Sequence, residues 1–200
     1  MPPRVERCDT DAELLNRWRA GETKAGETLF SRHLVHVYRF FRNKCAGDAD
    51  DLVQSTFLAC LRGRDQFEGR SSFRTYLYTI ARNELYRHLR KSRKLAREVD
   101  FSTDSVAAIL TGAGTMLDRK RAMANVRNAL MRLPVDQQLL LELHYWHELD
   151  PRALGEVFGV LPGTIRTRLF RARRILRGSL EPAIASSADL ARLVRTAVDA

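Results

Sequence analysis

The chain has 200 residues, of which 44% are hydrophobic and 29% are charged, as in a globular protein with one or two small domains. Its net charge of +10 favours a polyanionic partner, either nucleic acid or an anionic membrane surface. No apolar run approaches the roughly 18 residues that a transmembrane helix requires, and the first residues lack the apolar core of a signal peptide. We therefore expect a cytoplasmic protein without membrane insertion.

The cysteines predict neither a disulfide framework nor a zinc site. Cys8, Cys45 and Cys60 are odd in number and widely spaced, and no two of them form a Cys-x-x-Cys pair. We interpret them as buried or incidental thiols.

The apolar residues follow the helical period along nearly the whole chain, and the strict alternation expected of strands is absent. The clearest stripes are Val53, Phe57, Cys60 and Leu61; Phe73, Leu77, Ile80 and Leu85; and Leu133, Leu139, Leu140, Leu143 and Trp146. The chain is therefore predicted to be all-α, with the last stripe on a helix between Leu130 and Trp146.

The helical pattern lapses in a polar, turn-rich stretch. We interpret residues 94–117 as a flexible linker between two small helical domains, residues 9–93 and residues 118–178. Residues 179–200 would form a C-terminal extension, in which a packing helix is favoured over a regulatory one.

Basic residues concentrate in two segments, Arg62 to Arg97 and Arg152 to Arg177, while the remainder of the chain is acidic on balance. One segment lies mainly in each predicted domain. Two separate basic patches favour two contacts with nucleic acid.

The segment from Leu149 to Arg177 predicts a helix-turn-helix. Asp150 is placed to cap a first helix, which would end near Phe158. Gly159 permits the positive φ that such an end often requires. Thr164 is the expected cap of the second helix.

At 100° per residue, this second helix has two unlike sides. The apolar side comprises Ile165, Leu169, Ala172 and Leu176. The side away from the core comprises Thr167, Phe170, Arg171 and Arg174, with Arg166 on a flank. In such motifs the N-terminal half of the second helix reaches base edges, where Arg pairs with guanine and Thr or Phe contacts a thymine methyl. Arg173, Arg174 and Arg177 are expected to hold phosphates. A merely solvated arginine-rich face would gain nothing from an exposed Phe170.

The first motif of the N-terminal domain is an amphipathic helix with an acidic start, near Gly47 to Leu61. Asp48, Asp50 and Asp51 suit the positive end of that helix electrostatically, and this role alone would account for them.

An aromatic segment interleaved with arginines follows; its rings are Phe67, Phe73, Tyr76, Tyr78 and Tyr86. Rings stack on unpaired bases while arginines follow phosphates, which is how proteins hold single strands. Phe73 lies on the apolar stripe and is expected in the core. Phe67 lies in a loop and is the best candidate to contact a base.

Taken in chain order, these motifs resemble the extracytoplasmic-function (ECF) group of bacterial RNA polymerase sigma factors. Residues 48–57 resemble the polymerase-binding helix of sigma domain 2, and residues 71–85 its strand-opening segment. Residues 133–138 and 163–173 resemble parts of the helix-turn-helix domain, sigma domain 4. The ordered combination over roughly residues 10–178, and not any single motif, is the basis of the resemblance.

The resemblance implies three groups of functional residues. Polymerase binding is implied for Asp48, Asp50, Asp51, Gln54 and Phe57. Recognition and opening of the −10 element are implied for Phe67, Ser71, Arg74, Tyr76, Arg82, Asn83, Arg87 and Arg90. Recognition of the −35 element is implied for Thr164, Arg166, Thr167, Phe170, Arg171 and Arg174.

The implied partners are the clamp and flap regions of core RNA polymerase, promoter DNA and an anti-sigma factor. Since the polymerase performs the chemistry, the resemblance implies no catalytic residue, metal or cofactor. The chain departs from the family pattern at Ser55, at Tyr76 and in Asp150-Pro-Arg-Ala-Leu-Gly. These departures bear on the promoter preference rather than on the class.

Two other functions fit part of the sequence. A stand-alone helix-turn-helix regulator would bind duplex DNA without polymerase, but it leaves the aromatic segment at residues 67–86 unexplained. An enzyme with a metal site would use His144 and His147, which lie at i and i+3. No third and fourth ligand has matching spacing, so the two histidines are better interpreted as core or interface residues.

Overall fold

The computed structural model describes residues 9–42, 44–98, 129–130 and 132–184. Within those ranges every regular element is helical, which confirms the all-α prediction. The longer helices are α1 (Asp11–Arg19), α2 (Thr23–Arg42), α3 (Ala49–Gly63), α4 (Phe73–Glu98), α5 (Val135–Tyr145), α6 (Pro151–Phe158) and α7 (Pro162–Ile184). A short 3-10 turn, Ala46–Asp48, leads into α3. None of the helices in these ranges is long and apolar enough to cross a bilayer.

The chain separates into two compact units. The first contains α1 to α4, and the second contains α5, α7 and the first five residues of α6. Helix α4 extends to Glu98, into the segment interpreted as a linker. Residues 99–117 and most of the predicted C-terminal extension lie outside the described residues, so the exact domain bounds stay predictions.

The first unit begins with a helix whose start is fixed by its own side chains. The Thr10 hydroxyl accepts a hydrogen bond from the Glu13 backbone N–H (3.3 Å), and the Glu13 carboxylate accepts one from the Thr10 N–H (2.7 Å). Helix α1 then buries Leu14, Leu15 and Trp18. The Trp18 ring lies so close to Gly26 of α2 that a Cβ there would sit 2.6 Å from it.

An aromatic chain continues from α1 into the core of this unit. Trp18 meets Phe30 edge-on at 5.1 Å between ring centroids, and Phe30 contacts Phe57 of α3 at 4.7 Å. Such pairs contribute about 0.5–1.5 kcal/mol each beyond the area they bury. Three helices are thereby held at fixed positions.

His33 is a buried core histidine. Its Nε2 lies 2.6 Å from an Asp11 carboxylate oxygen, and its ring contacts Phe73 at 5.5 Å. Burial lowers the pKa of His33 below its usual value, and the neighbouring Asp11 only partly opposes that shift. The His33 side chain therefore links α2 to α1 and has a structural role.

Two features of the predicted stripes are wrong. Helix α3 buries Leu52, Val53, Thr56 and Cys60, so Leu61 lies beyond the edge of the buried side and is 47% exposed. The buried Thr56 satisfies its hydroxyl by donating to the Leu52 carbonyl (2.7 Å), which allows a polar residue to lie on the buried side.

The helix predicted between Leu130 and Trp146 is also interrupted. Helix α5 begins only at Val135, because Pro134 disfavours helical backbone at Leu133 before it. Trp146 follows the helix and is 44% exposed, so it does not continue the buried stripe.

The second unit is built on α5 and α7. Helix α5 buries an unbroken run from Leu139 to Leu143, including Glu142. On α7 the predicted apolar side, Ile165, Leu169, Ala172 and Leu176, is buried, which confirms the assignment of that side.

The turn between α6 and α7 matches the sequence prediction at two of three positions. The Asp150 carboxylate accepts from the Ala153 N–H (2.7 Å), and Gly159 has φ +66°. The prediction for Thr164 is wrong, because α7 begins two residues earlier, at Pro162. Proline is pre-organised for the first position of a helix and needs no N–H there, so the helix starts with it.

Gly155 allows this turn to fold back on α6, and it gives a test of the packing. The Val160 N–H donates to the Gly155 carbonyl (2.9 Å), and a Cβ on Gly155 would lie 2.7 Å from the Val160 carbonyl oxygen. We expect Gly155→Ala to lower the free energy of unfolding of the second unit by about 1–3 kcal/mol, since backbone must move. Hydrogen exchange of α5 and α7 peptides over a urea series measures this quantity.

Gly163→Ala is the matched control, because a Cβ there meets nothing within 4 Å. Alanine favours a helix over glycine by up to about 1 kcal/mol, so this variant should be unchanged or more stable. Equal destabilisation by both substitutions would contradict the packing described for the turn.

Candidate nucleic-acid interface

The outward side of α7 presents the residues that the sequence assigned to it, with Arg166 on its flank. Arg166, Thr167, Phe170, Arg171 and Arg174 are all exposed, and so is Thr164 in the first turn. Phe170 is 65% exposed, an unusual position for a phenylalanine among arginines. The Thr167 hydroxyl donates back to the Gly163 carbonyl (3.2 Å). The helix thus offers cations and an apolar ring on one accessible surface.

The three arginines expected at phosphates differ in their surroundings. Arg174 and Arg177 are exposed, whereas Arg173 is half-buried with its guanidinium 5.8 Å from the centre of the Tyr145 ring. Arg173 therefore packs against the C-terminal end of α5 and helps to hold α7 in place.

In the first unit, the loop of residues 64–72 joins α3 to α4 and contains Phe67, as predicted. The Phe67 ring stacks on Tyr76 of α4, with centroids 4.4 Å apart and planes 23° from parallel. Tyr76 in turn lies against Gly63, where a Cβ would collide with the tyrosine hydroxyl. Burial raises the pKa of Tyr76 above its usual value, so this ring is a neutral phenol. The two rings form one small aromatic platform.

The cap of α4 is Ser72, a structural residue that the sequence analysis did not single out. Its hydroxyl accepts a hydrogen bond from the Thr75 N–H (3.0 Å) and so caps α4. This start places Phe73 in the core, 4% exposed, and Tyr76 beside Phe67. A serine directly before an apolar helical run is the signal that could have identified the cap.

The predicted −10 residues on α4 do not all share a face. At 100° per residue Tyr76, Asn83, Arg87 and Arg90 lie on one side of the helix. Arg74 points to the opposite side, where it contacts Tyr78, whose pKa burial raises to about 12. The structure thus aligns one ring, one amide and two arginines in a row.

The remaining members of the predicted set are partly committed within the unit. The Arg82 guanidinium lies 4.7 Å from the centre of the Tyr86 ring, and Arg87 pairs with Glu84. Arg90 donates to the Tyr86 carbonyl at 3.2 Å. Ser71 is half-buried in the loop. Arg87 and Arg90 nevertheless remain exposed and can exchange these partners for phosphates.

Helix α3 carries an exposed acidic start and an apolar end on one side. Asp50, Asp51 and Gln54 are exposed, as is Asp48 before the helix, whose carboxylate lies 3.5 Å from His88. Phe57 is half-buried against Phe30 and forms the edge of the core. Leu58 and Leu61, which sequence analysis did not assign to a site, extend this face and are 43% and 47% exposed.

His144 and His147, which were considered as metal ligands, have structural roles. His144 Nδ1 lies 2.9 Å from the Leu149 carbonyl, to which it donates, and His147 is buried. In the part of the chain that the structure describes, no three His, Cys, Asp or Glu residues are grouped as metal ligands would be.

The fold and its surfaces define a nucleic-acid-binding protein with a helix-turn-helix in its second unit. Two family models match the chain: sigma-70 region 2 over residues 29–95 and sigma-70 region 4 over residues 123–176. The RNA polymerase sigma factor HrpL of Pseudomonas syringae pv. syringae is 31% identical, over 82% of this chain and 92% of its own length. The ECF RNA polymerase sigma-E factor of Escherichia coli K12 is 28% identical, over 88% and 96%.

Solved structures agree with these relatives. The sigma factor RpoE of Bartonella quintana, solved with the anti-sigma factor NepR, has a TM-score of 0.66 and 28% identity, covering 79% of this chain and 98% of that one. CnrH, solved with the cytosolic domain of CnrY, has a TM-score of 0.64 and 25% identity, covering 87% and 99%. The chain belongs to the ECF group of bacterial RNA polymerase sigma factors.

Arg171 gives a test of base recognition by α7. A bidentate arginine–guanine pair contributes about 1–3 kcal/mol of discrimination, so Arg171→Ala should weaken binding to a −35 duplex about tenfold. Binding to core polymerase should be unchanged, because the side chain is exposed. The probe is the upstream element of a promoter that the intact protein selects.

Arg168→Ala is the control, since Arg168 is exposed on the flank of α7 and its loss removes the same charge. It should keep discrimination between bases and lose only salt-dependent affinity. Equal losses in both variants would mean that charge alone accounts for binding. Loss of polymerase binding in Arg171→Ala would mean that this face is structural.

Proposed function

We propose that this sigma factor directs core RNA polymerase to specific promoters by two separate contacts, α7 with the −35 element and the Phe67 loop and α4 with the −10 element. The observation that carries the proposal is the presence of both surfaces in one chain: an exposed arginine and phenylalanine face in one unit and an aromatic platform beside a basic row in the other. A protein that only binds duplex DNA has no need of the aromatic platform and its basic row.

At the −35 element, α7 lies in the major groove of intact duplex. Arg166 and Arg171 donate to guanine, and Phe170 and Thr167 contact thymine methyl groups. Thr164 in the first turn and Arg174 farther along the helix hold the backbone. The buried side of α7 fixes which residues reach the bases.

At the −10 element, the protein holds a strand that has left the duplex. Unstacking a base costs a few kcal/mol, and a ring that accepts the base offsets that energy. Phe67 stacks on the extruded base with one face of its ring, and Tyr76 supports the other face of the Phe67 ring. Asn83 lies at the edge of the remaining duplex, while Arg82, Arg87 and Arg90 follow the phosphates and Ser71 contacts the strand. Arg74, which was also predicted to contact this strand, lies on the opposite side of α4 against Tyr78 and is left out of this contact.

The polymerase is bound through the first unit and the second. Asp48, Asp50, Asp51 and Gln54, with Phe57 at the apolar edge, dock on the clamp, and the helix-turn-helix unit meets the flap. Leu58 and Leu61 extend the apolar end of the clamp surface. Since the polymerase forms the phosphodiester bonds, the sigma factor acts in the cytoplasm as a specificity subunit and not as an enzyme.

Control by an anti-sigma factor completes the proposal. Among the similar solved structures, the sigma factor RpoE is bound to the anti-sigma factor NepR, and CnrH is bound to the cytosolic domain of CnrY. We assign this chain to a stress or envelope response regulated in the same way. Residues 9–93 would form domain 2, residues 94–117 the linker and residues 118–178 domain 4.

In vitro transcription tests the proposed function. Purified core polymerase with this protein should initiate from a small set of fragments in a genomic library, and core polymerase alone should not. The start sites should share two upstream sequence elements at fixed spacing.

Absence of any protein-dependent start would contradict promoter recognition. Tight duplex binding without polymerase and without initiation would point to the stand-alone regulator instead.

A further inference from the structure

We propose that Arg19 of α1 is a positioning residue that fixes the loop of residues 64–72, so that Phe67 is oriented to receive a base before DNA arrives. The inference rests on the proposed function of Phe67. It assigns a role in promoter opening to a helix that lies far from the loop in sequence.

The contacts of Arg19 cover the length of the loop's first half. Its Nε and Nη2 donate to the Arg64 carbonyl at 3.1 and 2.7 Å, and Nη2 also donates to the Phe67 carbonyl. The same guanidinium lies 5.9 Å from the centre of the Phe67 ring. The planar Arg19 guanidinium therefore connects the start of the loop, at Arg64, to Phe67.

The Arg19 side chain is held in place because α1 is anchored at the residue immediately before it. Trp18, the preceding residue, is 6% exposed and packs on Gly26 and Phe30. Arg64 returns the contact from the loop, with its guanidinium 5.1 Å from the centre of the Trp18 ring. Two successive residues of α1 thus hold the loop from one side.

The result is that Phe67 is fixed by both of its peptide groups and by its ring. Its N–H donates to the Gly63 carbonyl (3.1 Å), its carbonyl accepts from Arg19, and its ring stacks on Tyr76. Ordering a residue's backbone costs conformational entropy, and here that loss is met during folding. The captured base then gains the full stacking energy, which is the effect of pre-organisation.

The test uses holoenzyme assembled from the full chain and core polymerase, with fork-junction DNA from a promoter that the protein selects. The fork has a duplex upstream part and a single-stranded non-template −10 segment. In a second series each −10 base in turn is replaced by an abasic site. The measured quantity is the ratio of dissociation constants, abasic over intact.

For the wild type, one position should give a ratio of about ten, as expected from about 1–3 kcal/mol of base–aromatic stacking. Arg19→Ala should reduce that ratio to about twofold or less, while binding to core polymerase stays the same. Phe67→Ala should do likewise. The double variant should be no worse than Phe67→Ala, because Arg19 acts through Phe67.

Arg17→Ala is the matched control. Arg17 lies on the same helix and is exposed, and it pairs with Asp9 and with Glu22 at 2.5 Å rather than with the loop. It should keep the wild-type ratio.

Four outcomes overturn the inference. If Arg19→Ala weakens binding to every probe by one common factor, its role is structural; if its effect adds fully to that of Phe67→Ala, it acts independently. If Arg19→Ala keeps the ratio that Phe67→Ala loses, the loop needs no support, and only the inference fails. If no abasic site weakens binding of the wild type, the protein captures no base, and both the proposed role of Phe67 and the inference fail.

Discussion

Burial of one side of each long helix is the constraint on which the functional surfaces depend. On α7 the buried set of Ile165, Leu169, Ala172 and Leu176 fixes the rotation of the helix about its axis. Fully burying a large apolar side chain contributes about 1.5–3 kcal/mol, so a rotation that exposed these residues would be strongly unfavourable. Arg171 and its neighbours therefore face outward because of what lies behind them. The same division on α4 aligns Tyr76, Asn83, Arg87 and Arg90, and on α3 it separates Thr56 from Asp50.

The Phe67 loop is governed by a different kind of constraint, because it has no helical period to orient it. Its geometry comes from neighbours in space: Tyr76 beneath the ring, Gly63 behind its N–H and Arg19 at its carbonyl. Such a loop lies at the end of α3, and the cap at Ser72 sets the position of the next helix. The two DNA contacts thus differ physically, one being a rigid helix face for duplex and the other a supported ring for a single strand.

Sequence reasoning succeeded where local rules decide. The exposed and buried sides of α7, the cap at Asp150 and the turn at Gly159 follow from periodicity and backbone preference alone. It failed at Thr164 and at the start of α5, where Pro162 and Pro134 set the helix boundaries. It misplaced Leu61 because it did not count Thr56, whose hydroxyl is satisfied by the Leu52 carbonyl, on the buried side of α3. Arg19 was beyond its reach, since the carbonyls that it binds lie 45 and 48 residues away and depend on tertiary packing.

Site-specific photo-crosslinking tests the central claim, which is that two separate parts of this chain contact two separate promoter elements. A benzophenone side chain would replace Phe67 in one variant and Phe170 in another, each assembled with core polymerase on a selected promoter. Position 67 should crosslink to the non-template strand of the −10 element, and position 170 to the −35 duplex. Crosslinks from both positions to the same element, or from neither to DNA, would contradict the account.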